Sequence, residues 1–484
     1  MTFRSLCLLP PIALLAACAA SPPVMPDPVA GRIHRFSQAD SSQTGHFDDA
    51  QWWQALGAPE LDALLERAGR GNFDVRIAME RVAEARAGSV QAASRLLPAI
   101  AVAGSASEAR SGLPAPYTLG QPDVRAYRGA LETGWEIDLA GAARAAADAT
   151  ALDTEAAEEA VNLARWQLRV ELARQFLIWQ GARLRADVLE RLLQVERDAE
   201  RIVSRRAGDG QASRLDVRLA AAASASLQSD LPALHALIAV SAHRIAGLLG
   251  EAPGTQLAGL DPSAPAHLPM VDALPVGQPL DLLQRRPDLR IASRQLLAEA
   301  ARLREREADL WPRFFLSAVL GRQDLEINGR DLSPVRFGNA AIAFSLPLFN
   351  AGRLRAAVER QGARQRAATL RYEQTALQAL EDVESSLVSL ARSRERSAAT
   401  ARALDERQAA LRLGDTLQGE GQIDPLQWQD LKRSALAAEL DDIESRLQQA
   451  LATVRLFQAL GGGWSLTGAP MATLSIPSSR ATPP

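Results

Sequence analysis

Few side chains in this 484-residue chain have the type and spacing needed to make or break bonds. The exception is the thiol of Cys18. Leu15-Ala16-Ala17-Cys18 has the form of a bacterial lipobox, in which a signal peptidase cuts before the cysteine and the sulfur receives a diacylglycerol. A secretory signal cut at small residues, with an incidental cysteine, is the plainer reading. Arg4 and the apolar stretch from Leu6 to Leu15, interrupted by Pro10-Pro11, make residues 1–17 a signal peptide too short to span a bilayer as a helix. Cys7 leaves with it, so the mature chain has one cysteine and no internal disulfide. His34, His46, His235, His243 and His267 form no ligand spacing, and no phosphate loop, nucleophile elbow or zinc-protease motif occurs. We therefore expect no metal, no cofactor and no enzyme. With 54 basic residues against 57 acidic ones and a net charge of −3, the chain lacks the basic field that would draw nucleic acid.

The elements around these residues come in two copies. Asn72-Phe73-Asp74-Val75-Arg76 returns as Arg286-Pro287-Asp288-Leu289-Arg290, and Leu97-Pro98 as Trp311-Pro312, both at an offset of 214. Trp135 to Arg144 returns as Phe344 to Arg353 at 209. Gly208, Gly210, Gln211 and Leu215 return as Gly419, Gly421, Gln422 and Leu426 at 211, as does Leu249-Gly250 at Leu460-Gly461. Ordered anchors with so little drift mean two copies of one supersecondary unit. The expected organisation is a signal peptide at 1–17, a lipidated proline-rich tether at 18–50, a first repeat at 51–250 (helix, strand pair, long helical hairpin), a linker at 251–279, a second repeat at 280–461 and a tail at 462–484.

Each repeat holds a proline-free stretch, Gly141 to Ser204 and Asn350 to Gln418, long enough for one helix of about 60 residues. Apolar residues step by three and four along Leu163, Trp166, Val170, Ala173 and Leu177, and along Leu440, Ile443, Leu447, Ala450 and Val454, which is a coiled-coil seam. Gly208-Asp209-Gly210 and Gly419-Glu420-Gly421 end the long helices, and a second helix runs back from each. Pro232 predicts a kink or break in the first returning helix. Strand pairs precede the long helices: Ala99 to Ser107 with Arg125 to Leu139, and Phe314 to Gly321 with Asn339 to Leu348. Alternation over about ten residues is the mark of transmembrane barrel strands. Four strands cannot close a barrel, and an open sheet in lipid leaves edge groups unpaired at several kcal/mol each. Three copies would give twelve strands, an even number that closes.

Trp52-Trp53 before Leu61, Leu64 and Leu65, Asn72-Phe73-Asp74-Val75, Leu215-Asp216-Val217, Arg285-Arg286-Pro287-Asp288-Leu289-Arg290 leading to Trp311-Pro312, and Leu346-Pro347-Leu348-Phe349-Asn350-Ala351-Gly352-Arg353 resemble the TolC/OprM-like outer-membrane efflux protein family over about Gln51 to Gly461. The lipobox places the chain nearer the lipoprotein branch associated with resistance-nodulation-division pumps. The resemblance implies a mainly α fold with a membrane β-barrel portion: two pseudo-repeats of long coiled-coil α-hairpins plus four β-strands per chain, assembled as a homotrimer with a 12-stranded β-barrel and a 12-helix α-barrel. It implies a passive exit duct in the bacterial outer membrane, lipid-anchored and extending into the periplasm, closed at its tip until a periplasmic adaptor (membrane fusion) protein and an inner-membrane efflux pump engage it.

The resemblance also implies roles for residues at the tips. Its gate carboxylates fall at Gln427 and Asp430, so one of the two is an amide here. Three copies of Asp430 would form a charge ring; a solvated helix charge is the bland reading. Asp216 stands at the family's first-hairpin gate linker, but its basic partner falls at Ile423. Arg205, Arg206 or Arg214 would have to substitute, or Asp216 caps the helix after the turn. Gly210, Gln211, Ser213, Gly421, Gln422 and Asp424 are expected adaptor contacts, or plain turn chemistry. Trp52, Trp53, Trp135 and Trp311 are either interface-belt aromatics or ordinary packing: Trp135 and Trp311 flank the strands where a belt would lie, and Trp52 and Trp53 are expected against the tunnel's equator. The alternative of another class is a structural periplasmic lipoprotein whose hairpins tether envelope layers; it has no use for the strand pairs. The exported substrate is not legible.

Overall fold

The computed structural model describes Phe36 and residues 53–54, 56–110, 123–257, 259–261, 263–271 and 282–461. Cys18, Trp52, the signal peptide and the tail lie outside them, as does all of the 18–50 segment except Phe36, which is buried. The elements are α1 (Pro59–Gly71), α2 (Phe73–Ala93), β1 (Ala99–Ala109), β2 (Val124–Ile137), α3 (Ala142–Gly208), α4 (Arg214–Leu249), α5 (Pro287–Ala308), β3 (Arg313–Ile327), β4 (Arg330–Asp331), β5 (Val335–Ser345), α6 (Arg353–Gly419) and α7 (Pro425–Ala459). Both long helices have 67 residues, against the expected length of about 60. The strands differ from expectation at their ends: β3 runs on to Ile327, and β5 starts at Val335 and stops before Leu346-Pro347, where proline removes a ladder donor. The two-residue β4 is an addition, formed where the Asn328-Gly329 turn folds Arg330–Asp331 back onto β3.

The described residues form two compact units, each drawing on both repeats: one from those within 80–158 and 291–374, the other from those within 28–79, 159–290 and 375–484. The first unit holds the sheet. Its antiparallel order is β1-β2-β3, with β5 and the short β4 both on β3. Register pairs Leu131 with Val102 and Leu320, and Leu316 with Trp135 and Ile342, so one face carries Ile100, Val102, Tyr127, Leu131, Leu320, Ile342 and Phe344. All seven are exposed. The other face carries Ala99, Ala101, Ala103, Ser105, Arg128, Glu132, Ser317 and Asn339. A sheet with a band of exposed apolar residues on one face, and on the other small, polar and charged residues interspersed with Phe315, Val319 and Phe337, suits lipid on the first side and water on the second. Tyr127 to Ile137 spans about 33 Å along the strand, or about 25 Å when tilted near 40°, the height of an outer-membrane apolar band.

The second unit holds the hairpins. α3 lies against α4 through Glu171 and Arg244 (3.7 Å) and Glu190 and His235 (3.7 Å). It also lies against α7: Arg185 pairs with Glu444 (2.9 Å), Arg191 with Glu439 (2.6 Å) and Arg433 with Glu196, an antiparallel register held over many turns. Gly181 makes room in this seam, since a Cβ there would stand 2.7 Å from Leu447 Cδ2. α7 in turn meets α6 through Ser445 and Thr400 (2.6 Å) and Ser434 and Arg407 (2.6 Å). The helix order is therefore α4-α3-α7-α6. Pro232 does not break α4. The carbonyl of Gln228, which loses its donor, is on an exposed residue where water can satisfy it.

The repeat motif has a structural reason. Asn72 Nδ2 donates to the Leu248 carbonyl in the last turn of α4 (2.9 Å), while Arg286, 214 residues on, donates to the Ala459 carbonyl in the last turn of α7 (3.3 Å). Each satisfies a carbonyl that a helix end leaves orphaned. Arg286 is buried, and Asp288 (2.8 Å) and Asp382 (2.9 Å) balance its charge. Burial alone would pull the guanidinium pKa down; these two carboxylates more than offset it.

Candidate functional site

The two hairpin tips are pseudo-equivalent to the residue. Gly210 (φ +75°) and Gly421 (φ +72°) adopt the left-handed conformation that ends α3 and α6. Ser213 and Asp424, again 211 apart, are the N-caps of α4 and α7. Gln211 and Gln422 donate their N–H groups back to Arg206 (2.7 Å) and Leu417 (2.8 Å).

Asp216 closes a capping box: its Oδ2 accepts from the Ser213 N–H and hydroxyl (both 2.8 Å), and its N–H donates to Ser213 Oγ (3.2 Å). The Ser213 N–H, then the hydroxyl, hold this carboxyl below the usual carboxylate range. Gln427 occupies the matching position in the second tip, exposed and without a carboxylate to close such a box. Of the three arginines considered for Asp216, Arg206 pairs instead with Asp424 (2.6 Å). That guanidinium, followed by the Leu426 N–H, holds the Asp424 carboxyl down. The first tip is thus tied to the second by the N-cap of α7, a link invisible to an alignment on Asp216 because the cap residue differs between repeats.

Asp430 is exposed one turn beyond Gln427 and pairs with Arg433 on its own helix (2.9 Å), while Arg433 reaches the buried Glu196 of α3. Its carboxylate is therefore shared with a cation rather than bare. Beside it, Trp428 Nε1 donates to Asp415 on α6 (2.7 Å) and Lys432 Nζ sits 3.3 Å from the Trp428 ring centre. Arg433, Glu196, Trp428 and Lys432 belong to no sequence motif, and the three-residue spacing of Asp430 and Arg433 is the signal that points to their pairing.

Both units end in unfilled edges. β1 and β5 each pair on one side only, and the outer helices α4 and α6 leave Leu219 (60% exposed), Val240 (62%) and Leu413 (69%) uncovered. Near the inner end of the sheet, Trp135 Nε1 donates to the Leu96 carbonyl (3.1 Å), and Trp311 is exposed; Trp53 lies under the Arg169 guanidinium at 4.8 Å.

The family profile described as Outer membrane efflux protein matches residues 64–251 and 279–462, one span per repeat. The chain belongs to this family. The efflux protein is 30% identical over 470 residues to the pyoverdine export outer membrane protein OpmQ of Pseudomonas aeruginosa, covering 96% of this chain and 98% of the relative. It is 29% identical to the solvent efflux pump outer membrane protein SrpC of Pseudomonas putida, covering 84% and 86%. Among solved structures, the outer-membrane channel OprN superposes with a TM-score of 0.79 at 29% identity, over 89% of this chain and 97% of that one. The open state of the Neisseria gonorrhoeae MtrE outer membrane channel has the same fold, with a TM-score of 0.78 at 23% identity over 92% and 98%. This efflux protein is accordingly a TolC/OprM-like outer-membrane channel component of an efflux system, with a helical portion and a β portion.

Proposed function

We propose that three copies of this efflux protein close head to tail into a 12-stranded barrel and a 12-helix tunnel. The duct is passive, and small molecules reach it from an inner-membrane pump through a periplasmic adaptor. The observation that carries this is the pair of open edges: β1 with β5, and α4 with α6. A surface that is unlike at its two edges and repeats by rotation closes as a ring, and in lipid the strand edges have no other way to be satisfied. Lipidation at Cys18 anchors the assembly. Gly210, Gln211, Ser213, Gly421, Gln422 and Asp424 are the adaptor contacts, and Asp216, Gln427 and Asp430 line the gate, with Arg206 and Asp424 as its lock. Native mass spectrometry in mild detergent should give three chains, each with an acylated Cys18; a stable monomer would overturn the duct. In planar bilayers, Asp430→Ala should weaken cation preference and Gln427→Asp should strengthen it. Unchanged selectivity in both, with trimers intact, would remove Asp430 from the gate.

A further inference from the structure

Resting on the barrel reading above, we propose that the inner face of the sheet carries a contact station for aryl carboxylates, built from Arg128 stacked on Phe337. β1 contributes only small residues to this face, Ala99, Ala101, Ala103 and Ser105, while at the start of β3 Arg313 lies over Phe315 at 5.6 Å. Further along the strands the face rises again. Gly321 stands opposite Phe337 in the β3–β5 register, and a Cβ on that glycine would lie 2.6 Å from Phe337 Cζ and 2.9 Å from Ala130 Cβ. The missing side chain lets the ring lie down across the strand, an aromatic covering a glycine. Arg128 then places its guanidinium over the ring, Cζ to centroid 4.5 Å.

The cation is held but not consumed. Arg128 Nη2 is 3.8 Å from Glu132 Oε1, beyond hydrogen-bond reach, and both side chains are more than two-fifths exposed. On the same face, Arg313 grips Glu136 by two bonds of 2.6 and 2.5 Å and has nothing left to offer along that edge. Arg128 by contrast keeps a free N–H edge for a carboxylate and a second guanidinium face for an aromatic ring. Twelve strands at about 4.8 Å spacing and a tilt near 40° enclose a backbone cylinder about 24 Å across. Three such stations at one height therefore lie within reach of a passing small molecule. The ligand is a flat aromatic acid, since the stack selects a ring and the N–H edge an anion.

The test uses full-length trimers in planar bilayers with 1-naphthoate as probe, and cyclohexanecarboxylate and 1-naphthylmethylammonium for comparison. The wild type should be blocked best by 1-naphthoate, and Arg128→Gln should weaken that block about three- to tenfold. Arg128→Lys, which keeps the charge and loses the plane, should make the two carboxylates equal. Glu132→Gln should tighten the block by removing the nearby anion. Equal block of wild type and Arg128→Gln, with pores conducting, would overturn the station alone. A wild type that forms no pores would overturn the barrel reading and the station with it.

Discussion

The returning helices α4 and α7 hold the same place in the two repeats and have opposite surroundings. α7 runs between α3 and α6 and buries 14 residues, among them Ile443, Leu447, Leu456 and Phe457. α4 has α3 on one side only, and buries Ser224 and Ser241 along its length with Ile245, Ala246, Leu248 and Leu249 at its end. Its composition would pass for a membrane-crossing helix, yet only 22% of that stretch is buried. Two copies of one unit placed side by side necessarily differ in this way, because one ends at the centre and the other at an edge. On the trimer proposed above, the apolar residues of the edge copy would meet the next protomer.

That contrast can be broken at either helix. The largest effect is expected at the edge: Leu219→Asp should abolish trimers while leaving the protomer folded, since a charge buried in a helix seam has no partner there. Native mass spectrometry with circular dichroism reads both. A trimer that survives the substitution would show that α4 is not an assembly face. At the centre, Phe457→Ala should cost about 3–5 kcal/mol in denaturant unfolding, through lost burial and a cavity. An equivalent loss from Val240→Ala would erase the distinction between the helices.

A smaller effect tests the polar interior of the centre. Asp442 of α7 is buried with one oxygen unpartnered, near Asp405 of α6, Thr400 and Arg446. Burial pushes its carboxyl up, Arg446 pulls it down, and Asp405 adds to the rise. A carboxyl raised in the folded state contributes stability that is complete below its unfolded value and is lost as pH rises through its folded value. Asp442→Asn should therefore be more stable than wild type at pH 7, by about 1 kcal/mol, and lose that advantage on acidification. A constant difference from pH 7 to pH 3 would refute this. The smallest effect is at the tips. Arg206 and Asp424 are partly exposed, so a double-mutant cycle should find a coupling of only about 0.2–1 kcal/mol. Because the Asp424 carboxyl is held down, its contribution is present above the ordinary carboxylate range and is lost as pH falls through the lowered folded value. Gating shows the link better: Arg206→Ala should raise the open fraction of single channels, and an unchanged open fraction would deny the tie a role.

The two tips and the two helix-end contacts show where sequence reading succeeds and where it stops. Glycines that must take positive φ, the capping residues after them and proline-free seams act through neighbours a few residues away. The chain alone therefore determined the repeats, the hairpins and the alternating strands, and a count of four long strands with no way to close is what leads to the proposal that copies join. Ends were less legible, as at β3 and β5, because a ladder extends for as long as its partner supplies donors. Pairing between repeats was hidden: Arg206 meets Asp424, Arg433 meets Glu196, and Arg128 lies on Phe337, all more than 200 residues apart in sequence. Only packing decides such contacts, because a long side chain on a helix or strand has many partners of the right charge, and the register of one element against another selects among them.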